Sequence, residues 1–396
     1  MPDTTGPIDR PERLAPAPGD PTRIEAFIPT PCVQNHASFV APLPGGDLGC
    51  VWFGGTQEGI PDISVHFARL APGAARWSEP VRLSDDPTRS EQNPLLFTVP
   101  GGALWCLWTA QVGGNQDTAL VRRRISRDGG ASWGPVETLI PEKPGFGTFI
   151  RSPIVVNARG EWLLPIWRCT KPPAGAWTGD LDTSAVLVSA DRGETWREVA
   201  VPGSTGCVHM SIVAWRDRLL AFYRSRWADH VYRSESRDGG DSWSAPTPTV
   251  LPNNNSSVMA LPLASGAVAL MYNESSAADA TGRRASLYDD IGGEAPAEPP
   301  TDHPPLGRAA FWGAPRAPMT IALSEDGGLT WPWRRNLEVG DGYCMTNNSK
   351  DRLNREFSYP SLCQTPDGAL HLAYTYWRQA IKYVRLDEAW IRSAAA

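Results

Sequence analysis

Four stretches of this chain spell one pattern, Ser-x-Asp-x-Gly-x-x-Trp: SRDGGASW (126–133), SADRGETW (189–196), SRDGGDSW (236–243) and SEDGGLTW (324–331). A spelling that recurs along a chain marks a repeated structural unit. An apolar or Arg-rich run precedes each Ser (119–125, 184–188, 231–235, 319–323) and reads as a strand. The Asp and Gly then read as a hairpin turn, Asp bonding the backbone ahead of it and Gly taking positive φ. A solvated turn has no use for tryptophan. Trp133, Trp196, Trp243 and Trp331 are therefore expected to fold back and fill the gap between neighbouring units.

A second repeated signal lies upstream of these turns. Segments opening at His36, Asn93, Arg151, His209, Asn255 and Tyr359 each read as a polar residue, an apolar strand, a Gly/Asp turn and a second apolar strand. Joining each opening to the strand and turn that follow gives six four-stranded units. That is an all-β fold, a six-bladed β-propeller of antiparallel blades. The 37 Gly, 38 Pro and 17 Trp agree with many hairpins, and no convincing amphipathic helix is visible. Blade one runs over about 33–83 with a degenerate turn that still ends in Trp77. The sixth unit stops short after Tyr383, so RIEAFIP near residue 25 is expected to supply its outer strand and close the ring. We therefore expect a disordered leader over 1–22 and one propeller over 23–390. A Pro/Gly-rich insertion at about 276–315 in blade five reads equally as a lid or a surface loop.

The formal charge of −6, with no basic stripe, argues against nucleic acid as a partner. No segment is apolar and long enough to span a membrane, and the first residues do not spell a secretion signal. The seven cysteines show no metal spacing, and reduced thiols in a cytoplasmic protein are expected. No metal site and no cofactor is expected.

The first strand of each propeller blade lines the central axis. The six opening residues, His36, Asn93, Arg151, His209, Asn255 and Tyr359, should therefore converge on one mouth. Polar residues at strand starts also serve simply to bond loop backbone, but six of them together suggest a site.

The four turns are Asp boxes, and over about 25–385 the chain resembles the sialidase superfamily of six-bladed propellers. The Asp box by itself says little about activity. SYPSLCQTPDGALHLAYTY is similar to the sialidase segment that carries the tyrosine nucleophile, which implies that role for Tyr359. The family's activating glutamate and a clamp arginine fall by pattern on His209 and Arg224: the arginine is kept and the glutamate has become histidine. The resemblance puts a further clamp arginine before a late Asp box, where APRAPMTIALSEDGGLTW carries Arg316, and arginine's planar fork suits a carboxylate. The remaining one, from an Arg-Ile-Pro segment, is replaced by Asn35 or His36. The acid/base aspartate is matched by Glu58 or Asp62, with Glu58 preferred. Arg151, Arg226, Arg355 and Arg378 could rebuild an anion site in altered geometry.

The resemblance implies an exo-glycosidase removing a terminal acidic sugar from an oligosaccharide or glycoconjugate. Its departures leave two alternatives. One is a lyase or rhamnosidase on a uronate-containing oligosaccharide, with His36, His209 and Tyr359 moving protons. The other is a non-catalytic sugar-binding propeller.

Overall fold

The computed structural model describes residues 9–173, 175–285, 287–288, 291 and 307–393. Six antiparallel sheets follow one another along the chain. Blade one is built from Gln34–Pro42, Leu48–Gly55, Ser64–Leu70 and Val81–Arg82. The later blades begin at Arg89, Phe146, Cys207, Met259 and Phe357. This is the six-bladed propeller expected from the repeats.

The ring closes where the truncated sixth unit required it. Asp20–Ile28 pairs antiparallel with Ala380–Leu386, with Ala26 opposite Tyr383. Ordered backbone nevertheless begins earlier than the expected leader boundary, because Ala15–Ala17 adds a further strand to Asp20–Ile28.

Second strands such as Leu48–Gly55 are buried almost end to end, since neighbouring blades cover both faces of each sheet. The outermost strands are short and exposed, as at Val81–Arg82. The Asp boxes join third to fourth strands. In the first of them Ser126 Oγ donates to Asp128 Oδ1 (2.7 Å) and accepts from Gly130 N (2.7 Å), while Asp128 also takes the backbone N–H of Ser132 (2.8 Å). The other three boxes repeat this network.

The tryptophans do fold back onto the preceding blade. Trp133 meets Phe67 edge-on at 5.5 Å, Trp331 meets Phe222 at 5.7 Å, and Trp77 meets Tyr383 at 5.2 Å across the closure.

One further device positions the site. In blades one, two, four and six the ladder between first and second strands slips by a bulge, between His36 and Phe39, Gln92 and Leu95, Val208 and Ser211, and Ser358 and Ser361. At each bulge one residue takes positive φ: Ala37 (55°), Asn93 (52°), His209 (52°) and Tyr359 (50°), with Asn255 (57°) alike in blade five. A bulge re-aims a side chain out of the ladder. Left-handed backbone at a histidine or tyrosine is uncommon and costs roughly 1–3 kcal/mol. The opening position of blade one is thus Ala37, and His36 lies one residue earlier on the strand, a correction to the six openings read from the sequence.

The insertion in blade five lies over the mouth where it is described; residues 286, 289–290 and 292–306 fall outside the described set. Leu287 and Tyr288 pack with Ala119, Phe149 and Trp167 of blades two and three. Phe311 N donates to the carbonyl of Arg226 (2.8 Å), and Trp312 Nε1 to that of Thr178 (3.0 Å).

Candidate functional site

Tyr359 stands at the centre of the mouth, 6% exposed. Its phenol oxygen accepts a hydrogen bond from Arg224 Nη1 at 2.7 Å. The same nitrogen lies 3.2 Å from His209 Nε2, and Arg224 Nε donates to Asn255 Oδ1 at 2.7 Å. Arginine only donates, so Nε2 of His209 is the acceptor and the ring proton sits on Nδ1. That Nδ1 and Arg224 Nη2 are buried without a partner among the described residues. Trp167 stacks on the His209 ring at 4.2 Å. Three more groups surround the tyrosine ring: His36 at 4.2 Å, and the guanidinium carbons of Arg151 and Arg316 at 5.3 and 5.9 Å.

Burial, with the neighbouring arginines added, holds both His36 and His209 well below the usual histidine value, so both are neutral near pH 7. Burial likewise lowers Arg224 to about 9 and Arg151 to about 10.

The arginines gathered here do different work. Arg151 gives its Nη2 to the carbonyls of Ser38 (3.1 Å), Tyr359 (2.8 Å) and Pro360 (3.0 Å), so it ties the strand starts of blades one and six together. Arg226 forks onto Asp182 (3.0 and 2.6 Å) between the rings of Trp177 and Trp312. Arg316 Nη1 reaches both oxygens of Glu356 at 3.2 Å. Arg378 Nε donates to Glu356 at 3.0 Å and its Nη1 pairs with Glu58. Burial opposes ionisation of Glu356, yet Arg316 and Arg378 hold its carboxyl below the usual range. Five buried guanidinium groups thus face three buried carboxylates, Glu58, Asp182 and Glu356. The surplus falls on Arg151 and Arg224, and of these Arg224 keeps a donor nitrogen with no partner. An unneutralised buried charge is costly unless a counter-charge arrives. Of the arginines expected at an anion site, Arg224 is the one that combines surplus charge with an unpartnered donor. Arg355, also expected there, instead bonds Asp341 (2.8 Å) near the surface, because its backbone precedes the strand that enters the mouth.

Glu58, Asn93, His209, Arg224, Arg226 and Tyr359 line one cavity of about 10 Å³, with Leu287 of the insertion also in its wall. That is room for about one water. Glu58 is 4% exposed and faces this space, whereas Asp62 bonds Thr56 (2.6 Å) in an exposed turn. His36 is outside the cavity wall: its Nδ1 bonds Thr375 Oγ1 (2.9 Å) and lies 3.8 Å from Glu356. Among the described residues no cluster of His, Cys, Asp and Glu could hold a metal ion.

The BNR repeat-like domain matches residues 46–372. The chain belongs to that family. Several solved structures share its fold at low identity. A Hadza microbial sialidase, Hz136, is similar with 15% identity and a TM-score of 0.65, over 91% of this chain and 67% of that one. A protein of unknown function from Dyadobacter fermentans is similar with 16% identity and a TM-score of 0.65, over 92% and 97%. The intramolecular trans-sialidase from Ruminococcus gnavus has 12% identity and a TM-score of 0.65, over 91% and 96%. No curated protein matches the sequence.

Of the residues singled out in the sequence of this BNR propeller, the fold gathers Tyr359, His209, Arg224, Glu58, Asn93 and Arg226 on one cavity wall and His36, Arg151, Arg316, Arg378 and Asn255 around it. Glu356 and Asp182, carboxylates that pair with these arginines, were not among them. A signal for Glu356 existed in NREFSYPS, where an acid precedes the tyrosine by three residues on the same strand entry. Asp182 carried no local signal, since its partner Arg226 belongs to the next blade.

Proposed function

We propose that this BNR propeller is a sialidase-type glycosidase that removes a terminal acidic sugar from an oligosaccharide or glycoconjugate. The observation that carries the reading is Arg224, a buried guanidinium with one nitrogen on the Tyr359 phenol and another unpartnered, beside a cavity that Glu58 also lines. The sugar's anionic group takes the free Arg224 nitrogen. The Tyr359 oxygen attacks the anomeric carbon while its proton passes to neutral His209 Nε2, which shares Arg224 Nη1 with the phenol. Glu58, ionised against Arg378 in this structure, takes up a proton as the substrate enters and gives it to the leaving oxygen as that bond breaks. Water, deprotonated by Glu58, then attacks the anomeric carbon and releases the sugar, and the departing Tyr359 oxygen takes its proton back from His209. A neutral nucleophile suits this site because a carboxylate would repel an anionic substrate. Arg224's hydrogen bond strengthens as charge moves at that oxygen.

One observation favours a second reading. The phenol accepts from Arg224, with His209 edge-on to its ring at 5.5 Å and, among the described residues, no carboxylate bonded to it, which also suits removal of the proton beside a uronate carboxylate, as in a lyase. Incubation with sialyl-lactose and rhamnosyl-glucuronate oligosaccharides separates the two. Reducing-sugar release without new ultraviolet absorbance supports hydrolysis, whereas an absorbing unsaturated product supports the lyase. Silence in both overturns an enzyme acting on either sugar.

A further inference from the structure

Beside the reacting centre lies a polar socket that neither Tyr359 nor the arginines use. Three carboxamides of blade two converge in it: Gln92 on the first strand, Gln111 on the second and Gln116 on the third, exposed by 2%, 0% and 4%. Their Nε2 atoms lie 3.4, 2.9 and 3.2 Å from one atom, the phenol oxygen of Tyr288 in the blade-five insertion. The Tyr288 ring fits closely: a Cβ on Gly59, whose φ is +97°, would stand 2.8 Å from the ring, and one on Gly114 would touch it at 3.5 Å.

Three buried carboxamides are more than a phenol needs. A phenol offers one donor and an oxygen acceptor, whereas each carboxamide brings two N–H donors and a carbonyl oxygen. A buried amide is costly unless its groups are bonded. Gln92 and Gln111 have secondary partners in Ser90 and Gly113, and Gln116 takes a contact from Cys169. Gln111 Oε1 still has none among the described residues. A tyrosine that merely pinned a loop would need one partner. The socket therefore has capacity for a ligand with several adjacent groups that both donate and accept.

We infer that Gln92, Gln111 and Gln116 form the leaving-group subsite, that it takes an uncharged pyranose, and that the Tyr288 ring occupies the place of that sugar in this conformation. A pyranose has a six-membered ring of similar size, and its neighbouring hydroxyls match the donor and acceptor ends of carboxamides. No charged side chain belongs to the trio, which selects a neutral sugar. Gln92 and Gln116 share the cavity wall with Glu58 and Tyr359, so a ring held there sits next to the acid that protonates the leaving oxygen. This assignment to the leaving-group side rests on the function proposed above. It narrows the substrate to an acidic sugar linked to a neutral one, and it requires Tyr288 to withdraw before that substrate enters.

The test is calorimetric titration of the full chain with the methyl glycosides of glucose, galactose and mannose. Tyr288→Ala should bind at least one of them about tenfold more tightly than wild type, and adding Gln111→Leu should cancel that gain. Tyr288→Ser, which also removes the ring, should show a similar gain and serves if the alanine variant fails to fold. A folded Tyr288→Ala or Tyr288→Ser with no gain for any glycoside overturns the subsite. So does a gain that survives Gln111→Leu. Glycoside binding by Tyr288→Ala with no turnover of any acidic oligosaccharide by wild type would sink the glycosidase reading and leave the subsite standing. Turnover by wild type with no gain in the variants would do the reverse.

Discussion

The Asp-box rim and the mouth are built from similar polar groups on opposite plans. In each box the carboxylate finds its partners within its own eight residues, as Asp238 does with the hydroxyl of Ser236 (2.8 Å) and the backbone N–H of Ser242 (2.9 Å). At the mouth most strong pairs cross blades. Arg224 of blade four bonds Asn255 of blade five and Tyr359 of blade six, and Arg378 of blade six pairs with Glu58 of blade one. A locally closed network can be copied from blade to blade, which is why the box recurs. A network closed across the ring needs a different residue from each blade, and its leftover charge and unpartnered atoms are free for a ligand. The rim holds the frame, and the mouth holds polar groups left without partners among the described residues.

The largest effect that could break this contrast is at Tyr359. Tyr359→Phe should lower turnover by about 10³-fold or more, roughly 4 kcal/mol in the barrier, with the melting temperature unchanged. Retained hydrolysis would remove the nucleophile from the mouth. Next comes Arg151, a mouth residue with a rim-like duty. Arg151→Met should leave the carbonyls of Ser38, Tyr359 and Pro360 unbonded and cost about 3 kcal/mol of stability; denaturant titration reads this, and a neutral result would show that the strand starts hold without it.

Arg224→Met sharpens the contrast from the other side. It should lower kcat/KM for an acidic substrate about 100-fold, roughly 2.7 kcal/mol, while stability holds or rises because an unneutralised buried charge is gone. A large loss of stability would make Arg224 structural. At the rim, Asp238→Ala should cost ~1 kcal/mol by thermal denaturation and leave activity as it was; an equal loss of activity would couple the two regions.

The smallest effect is in pH. Asp191 and Asp238 are lowered to about 2, Asp191 chiefly by hydrogen bonds from Thr195 and Ser189, and Asp238, against the opposing effect of desolvation, by those from Ser242 and Ser236. Their stabilisation is therefore complete above the unfolded carboxylate value near 3.8 and is lost as pH falls through about 2. His36 and His209 are depressed by burial, so the unfolded chain binds their protons first and stability declines as pH drops below 6.5. Acid titration of stability should show both windows, with His209→Gln flattening the upper and Asp238→Asn the lower. A curve unchanged by His209→Gln would mean that this histidine is not held neutral in the fold.

Much of this was legible in the residues. The boxes announced themselves because Ser, Asp and Gly act on one another over a few positions. The outer strand of blade six could be assigned to the stretch near residue 25 because a ring with a missing strand has one place to find it. The convergence of Tyr359 and His209 followed from strand starts facing one axis, and Arg224 and Glu58 were added only by the resemblance to the sialidase superfamily. The choice of His36 as the opening residue failed because the bulge, which sets the opening at Ala37, depends on pairing register and leaves no mark in composition. Arg151 and Arg355 looked like the other arginines in the sequence, and only their surroundings assign them to backbone carbonyls and to Asp341.

The sequence by itself determined the blade count, the closure and the rim, since those rest on short-range hydrogen bonds and apolar periodicity that each segment carries within itself. Tertiary structure alone decided which arginine keeps a free donor, which carboxylates neutralise the rest, and that Tyr288 meets three glutamines. Those outcomes depend on groups 22 to 320 residues apart brought within hydrogen-bond reach, as with Arg378 against Glu356 and Glu58, and no local pattern encodes a distance of that kind.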